Sequence, residues 1–142
     1  MLTAVDGGPP DMVVIAGSLN DANNYAPSQL QAEALLYFQQ LRAAAPDMVI
    51  VVIGPWGGFP PYSANEIAAR DAIFAAAAQV KGVRTVDVST WVTEANYRTI
   101  FNTAVGSDGV VYGADGPHPN DAGHETYGTL GASAISSIIL GL

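Results

Sequence analysis

The chain has 142 residues, 49% hydrophobic and only 13% charged, a composition that suits one domain with a substantial core and argues against disorder. Its 5 Lys and Arg face 13 Asp and Glu, a formal charge of −8 with an isoelectric point near 4.3, so no basic stripe exists to follow a phosphate backbone, which argues against nucleic acid as a partner. The lack of cysteine excludes disulfides, thiolate metal sites and a cysteine nucleophile, and leaves the compartment open.

The opening residues, MLTAVDGGPPD, have neither a cationic start nor an apolar run and do not read as a signal peptide. Residues 10–17, PDMVVIAG, predict the first strand: a Pro-Asp turn, an unbroken apolar run, then Gly. The pattern returns as PDMVIVVIG over 46–54, and more weakly as VRTVDVS over 83–89. Continuous rather than alternating hydrophobicity marks strands buried on both faces, as in parallel sheets covered by helices.

Between these runs the period changes. Residues 28–45 place Leu30, Ala34, Phe38 and Leu41 on one side of a helix, with Ser28 and Gln31 spaced as a capping box after Pro27. Residues 63–81 open with Ser63 and Glu66 in the same spacing and turn Ile67, Phe74 and several alanines inward. A last helix is expected over 121–140, weakened by Gly128 and Gly131. No apolar run approaches the roughly 20 residues that span a bilayer, and the terminal ISSIILGL is far too short. The order of strands and helices predicts an α/β domain over 1–142 with a parallel sheet and no internal boundary.

Ligands of such sheets bind beyond the carboxyl ends of the strands. That rule selects three loops: GSLNDANNYAP after the first strand, GPWGGFPPYS after the second, and residues 90–120 after the third. The third ends in GADGPHPNDAGH, where Asp115 stands three positions before His118. A carboxylate accepting the Nδ1–H of an imidazole fixes its tautomer and frees Nε2 as a base. Pro117 and Pro119 restrict the backbone around it. The competing reading is a surface turn whose Asp caps the next helix. Asn20, in G-S-L-N-D just past the first strand, is placed to donate to an oxyanion, or else forms an Asx turn with Asp21. Trp56, Phe59 and Tyr62 are candidates for a substrate-pocket wall, or for a loop packing on its own domain. Trp91, Tyr97 and Phe101 are expected to pack the segment before the last loop. Ser107, in G-S-D-G, reads as a turn residue, and His124 as a packing or capping residue rather than a metal ligand.

The pair of blocks G-S-L-N-D and D-G-P-H-P-N-D-A-G-H, in this order and separation, resembles the SGNH (GDSL-type) hydrolases. The resemblance implies a flavodoxin-like, three-layer α/β/α fold and an esterase or lipase activity. Asn20 then matches the family's oxyanion donor, with Gly17 and Ser18 supporting that loop, and Asp115 and His118 match the acid and base of its triad. Ser18 aligns with the position usually held by the block's Gly. The family's G-D-S block, whose Ser is the nucleophile, has no counterpart here. The resemblance therefore implies a domain truncated to about three strands, the third, fourth and fifth of a 2-1-3-4-5 sheet.

Such a truncation turns the strand Met12–Ala16 into an edge with no Lys or inward charge to blunt it. Pairing through it is expected, with a second copy as a homo-oligomer or with an N-terminal segment supplied separately. The function expected is cleavage of a small ester, an acyl or acetylated-carbohydrate substrate, with no cofactor and no metal. The alternative is a non-catalytic binding or assembly module on the same fold. A nucleotide- or flavin-binding domain has little support, because no Gly-rich phosphate-cradling turn is present.

Overall fold

Strand β1 (Met12–Ala16) leads into helix α1 (Pro27–Ala44), then β2 (Val49–Gly54), α2 (Ala64–Ala77), β3 (Val83–Asp87), the short strands β4 (Thr103–Val105) and β5 (Val111–Gly113), and α3 (Asp121–Leu140). The computed structural model describes residues 10–17, 21–54, 62–93, 96, 103–105, 111–113 and 119–141. These fall into two compact units: Met1–Trp56 with Ala64–Asp87, and Gly57–Ser63 with Val88–Leu142.

Among the described residues the first unit is built on a three-stranded parallel sheet in the order β1-β2-β3, the α/β arrangement expected from the sequence. The register pairs Met12 with Val49 and Ile50 with Val83. β2 is almost wholly β-branched, a composition that fits a pleated surface. Its alternation sends Ile50 and Val52 to one face, where they meet Phe38 and Leu41 of α1, Ala76 and Ala77 of α2, and Val83 of β3. Val51 and Ile53, on the other face, are also buried. β1 differs: Val13 and Ile15 pack on the helix-side core, whereas Met12 and Val14 are 36% and 40% exposed.

Helix α1 starts earlier than the proposed capping box allows. Its N-cap is Ala26, which makes no side-chain cap bond, and Pro27 opens the first turn. Pro at the first helical position loses no bond and has the helical φ already set, so it fixes the start and leaves Ser28 inside the helix. Phe38 and Leu41 are buried and Ala34 packs against the core, as the period requires. In α2 the expectation for Ile67 fails: it is 40% exposed, and the buried stripe is Ala69, Ala72, Ala76 and Ala77. The helical period explains the difference, because these alanines recur at i, i+3, i+7 and i+8, leaving Ile67 on the flank. Small side chains there let α1 and α2 pack closely side by side.

Arg42 ties the first unit together. Its guanidinium donates to the carbonyl oxygens of Ala45 (3.2 Å), Pro46 (2.7 Å), Met48 (2.7 Å) and Lys81 (3.1 Å). One side chain thus satisfies the chain leaving α1 and fastens it to the turn before β3. In that turn Gly82 has φ +80°, and a Cβ there would lie 3.0 Å from Arg42 Nη2. Only glycine serves both demands at once.

In the second unit β4 and β5 pair antiparallel, Thr103 opposite Gly113 and Val105 opposite Val111. This antiparallel pair was not foreseen within the 90–120 loop; Ser107, expected in a turn, lies outside the described residues. Helix α3 runs unbroken through Gly128 and Gly131, which cost it propensity without interrupting it.

Candidate functional site

The parallel register brings the carboxyl ends of β1, β2 and β3 to one rim, with Ala16 beside Ile53 and Gly54 beside Asp87. Gly17 and Gly54 adjoin there: a Cβ on Gly54 would stand 3.6 Å from the Gly17 carbonyl oxygen. Of the residues singled out from the sequence, Gly17 lies at this rim and is exposed. Ser18 and Asn20 on the same loop, Trp56 and Phe59 on the next, and Asp115 and His118 lie outside the described residues.

The Asp21 carbonyl accepts from the amides of Asn24 and Tyr25, each at 3.0 Å, closing a turn into α1. Asn65 of α2 donates through Nδ2 to Asn23 Oδ1 at 3.2 Å, fastening that turn to the second helix. Beside it lies a cavity of about 290 Å³, lined by Ile15 and Val52 from the strands, Ala34 and Phe38 from α1, and Ile73 and Phe74 from α2. Asp21 and Arg70 are the charged residues among its described lining. Arg70 is held by two carboxylates: Nε and Nη2 each lie 3.0 Å from Asp71 Oδ1, and Nη1 donates to Asp87 Oδ2 at 3.3 Å. Little in the sequence announces this cavity, since its walls read as ordinary core positions.

In the second unit, α3 begins directly after the H-P-N sequence. Asn120 is its N-cap, with the side chain accepting from the Gly123 amide at 2.9 Å. The capping duty is thus met by Asn120, five residues beyond Asp115. Gly123 is buried, whereas His124, expected to pack or cap, is exposed, and its amide donates to the Asn120 carbonyl at 2.8 Å. Trp91 packs its ring on Tyr127 of α3, with centroids 5.9 Å apart. Tyr97 and Phe101 lie outside the described residues. Asn96 braces the segment after Trp91, accepting from the Thr93 amide at 2.7 Å and donating to the Trp91 carbonyl at 2.9 Å. Tyr62 is half-buried. Burial of Tyr127 pushes its phenol pKa well above the usual range, and Tyr62 pushes it the same way.

Among the described residues there is no group of three or more His, Asp or Glu side chains able to hold a metal ion, and no helix is long and apolar enough to cross a membrane.

Comparison with known families adds the deciding observation: residues 1–126 match the GDSL-like Lipase/Acylhydrolase family. The chain belongs to this family. The match takes in both blocks, G-S-L-N-D and D-G-P-H-P-N-D-A-G-H, and the three strands of the parallel sheet, β1 before the first block and β2 and β3 between the two. Membership of the GDSL-like family makes ester or acyl hydrolysis the general activity of the group and small esters its substrates. No curated protein and no solved structure matches the chain.

Proposed function

We propose that this chain carries the base, acid and oxyanion-binding side of a serine ester hydrolase. The observation that carries the reading is the family match over 1–126, which contains both blocks in order. In this reading His118 Nε2 takes the proton from a serine hydroxyl as its oxygen attacks the ester carbonyl. Asp115 accepts the Nδ1–H of His118, orienting the ring and stabilising the imidazolium. The side-chain amide of Asn20 donates to the carbonyl oxygen as it becomes an oxyanion. Gly17 and Ser18 shape the loop that presents Asn20, and Trp56, Phe59 and Tyr62 form the wall for the substrate. His118 then protonates the departing alcohol. A water, deprotonated by His118, cleaves the acyl-enzyme to release the carboxylate and restore the serine.

No G-D-S block occurs in these 142 residues, so the reading takes the serine from a segment or second polypeptide that bears one. β1 offers the route for its attachment. The Val49 amide donates to the Asp11 carbonyl at 2.8 Å, so by alternation Asp11, Val13 and Ile15 direct their backbone groups at β2. Met12, Val14 and Ala16 direct theirs outward, a row that no strand among the described residues pairs and to which another strand can add. A second copy adding through this edge makes a homo-oligomer with a continuous sheet.

The test offers a short-chain aryl ester and a fluorophosphonate probe to the chain alone, then with a G-D-S-bearing polypeptide added. Labelling and turnover only in the second case support the reading, and Asn20→Ala then lowers kcat about 10²–10³-fold. Labelling of Ser18 in the chain alone moves the nucleophile to Ser18. The absent G-D-S block favours a second reading, a binding or assembly module without turnover, and the absence of labelling in both cases selects it.

A further inference from the structure

We infer that Asn65, at the start of α2, is a positioning residue for the oxyanion donor: its bond to Asn23 sets the direction of the turn that leaves Asn20. The inference rests on the hydrolase reading for the role of Asn20, whereas the placement of Asn20 can be measured without turnover. Three observations bear on that turn. The Asp21 carbonyl accepts from the Asn24 and Tyr25 amides, which closes residues 21–25 on themselves. Ala22 within them is buried. Asn65 Nδ2 donates to Asn23 Oδ1 at 3.2 Å, from 42 positions further along the chain. The first is local and fixes only the shape of the turn. Burial of Ala22 anchors it without direction, because apolar burial is non-directional. The Asn65 bond is directional and comes from another element, so it orients the turn against α2.

Asn20 is joined to Asp21 by a single peptide unit, whose planarity carries a movement of the turn to Asn20. The chemistry decides which rate constant responds. An oxyanion donor must be aimed at the place where charge develops, and an interaction made only in the transition state acts on kcat rather than on KM. Releasing the turn from α2 leaves Asn20 correctly aimed for a smaller fraction of the time. The bond is neutral and solvent-exposed, so the loss is about two- to fivefold, well short of the roughly 10²–10³-fold expected for removing the donor itself. Each amide carries both a donor and an acceptor, so the pair tolerates a carboxylate on either side but not on both.

The experiment uses the whole chain, ¹⁵N-labelled for NMR and complemented with the G-D-S-bearing polypeptide for kinetics on a short-chain aryl ester. Asn65→Ala and Asn23→Ala should each lower kcat about two- to fivefold with KM unchanged, and the double variant should fall no further than either single one. Asn65→Asp and Asn23→Asp each keep a donor facing an acceptor and should recover most of that loss. The two aspartates together oppose two carboxylates and should fall at least as far as the alanines. In the chain alone, the side-chain amide signals of Asn20 should shift in Asn65→Ala and return in Asn65→Asp. If either alanine variant fails to fold, the other and the aspartate set still read the bond. Unmoved Asn20 signals, a raised KM at constant kcat, additive alanine effects, or single aspartates as impaired as the double would overturn the inference. Asn20 signals that respond as expected in a complemented protein without ester turnover would sink the hydrolase reading alone.

Discussion

Replacing Arg42 by Met keeps the length and apolar stem of the side chain and removes its donors. The guanidinium makes two part-buried bonds, to Ala45 and Met48, and two exposed ones, to Pro46 and Lys81. Bonds from a charged donor contribute about 1.5 kcal/mol or more when shielded, and water replaces most of the exposed ones. Arg42→Met should therefore destabilise by about 3 kcal/mol, a fall in Tm of roughly 10 °C for a chain of this size. Arg42→Lys keeps a cation near the carboxyl end of α1 but cannot fork to four carbonyls, and should recover about a third of the loss. Arg84, exposed on β3, is the control, and Arg84→Met should stay within about 0.5 kcal/mol of the wild type. Urea unfolding followed by circular dichroism measures all three. An Arg42→Met protein as stable as Arg84→Met would refute the claim that this side chain holds the α1 exit to the β3 entry.

Gly82→Ala should cost about 1–2 kcal/mol from its left-handed φ, plus the contact with Arg42; a double-mutant cycle should show the second part vanish in Arg42→Met, and strict additivity would contradict the geometry. Gly128 is exposed within α3 with open space around it, so Gly128→Ala should stabilise by about 0.5–1 kcal/mol, and a lowered Tm would show a contact that the structure lacks. The unfolded chain releases the Tyr127 proton near pH 10 while the folded one retains it, so the stability it lends is whole below about pH 10 and falls by up to about 1.4 kcal/mol per unit as pH rises further. Urea unfolding on either side of that pH should show the decline, and Tyr127→Phe should flatten it; an unchanged slope in the variant would place the cause elsewhere.

The three strands of the parallel sheet and the boundaries of α3 were legible because their signals are local: β-branched runs, closed by Gly in β1 and β2, and an Asn before an acidic first turn. The start of α1 was misjudged because two cap signals overlap, and Pro27 outranks Ser28. The inward face of α2 was misjudged at Ile67, where hydrophobicity alone suggested burial and the spacing of the alanines decided otherwise. Neither Arg42 nor the Arg70–Asp87 pair announces itself in sequence. Arg42 reaches 39 positions along the chain to Lys81 and Arg70 reaches 17 to Asp87, separations that no window over the sequence captures. The cavity is of the same kind, a product of how four elements meet. The blocks carrying Asn20, Asp115 and His118 were legible through the opposite property, a dense pattern of unusual residues in short stretches.

The two echoing strands show where such reading stops. PDMVVIAG and PDMVIVVIG share a turn, an apolar run and a closing glycine, yet Val51 is fully buried while its register partner Val14 is 40% exposed. The sequences do not encode that difference; position in the sheet does, because among the described residues β2 has a strand on each side and β1 has one. Near-identical hydrophobicity at an edge and at a centre means that β1 carries apolar surface in excess of what its own unit covers. That excess lies on the strand whose outward backbone groups, at Met12, Val14 and Ala16, stand ready for another strand. A partner pairing there would cover the valine and satisfy the backbone in one step, and would bring its own strand end to the rim beside Gly17. If the edge served no such purpose, Val14→Lys would leave self-association and complementation unchanged, because a lysine on an idle edge meets only water.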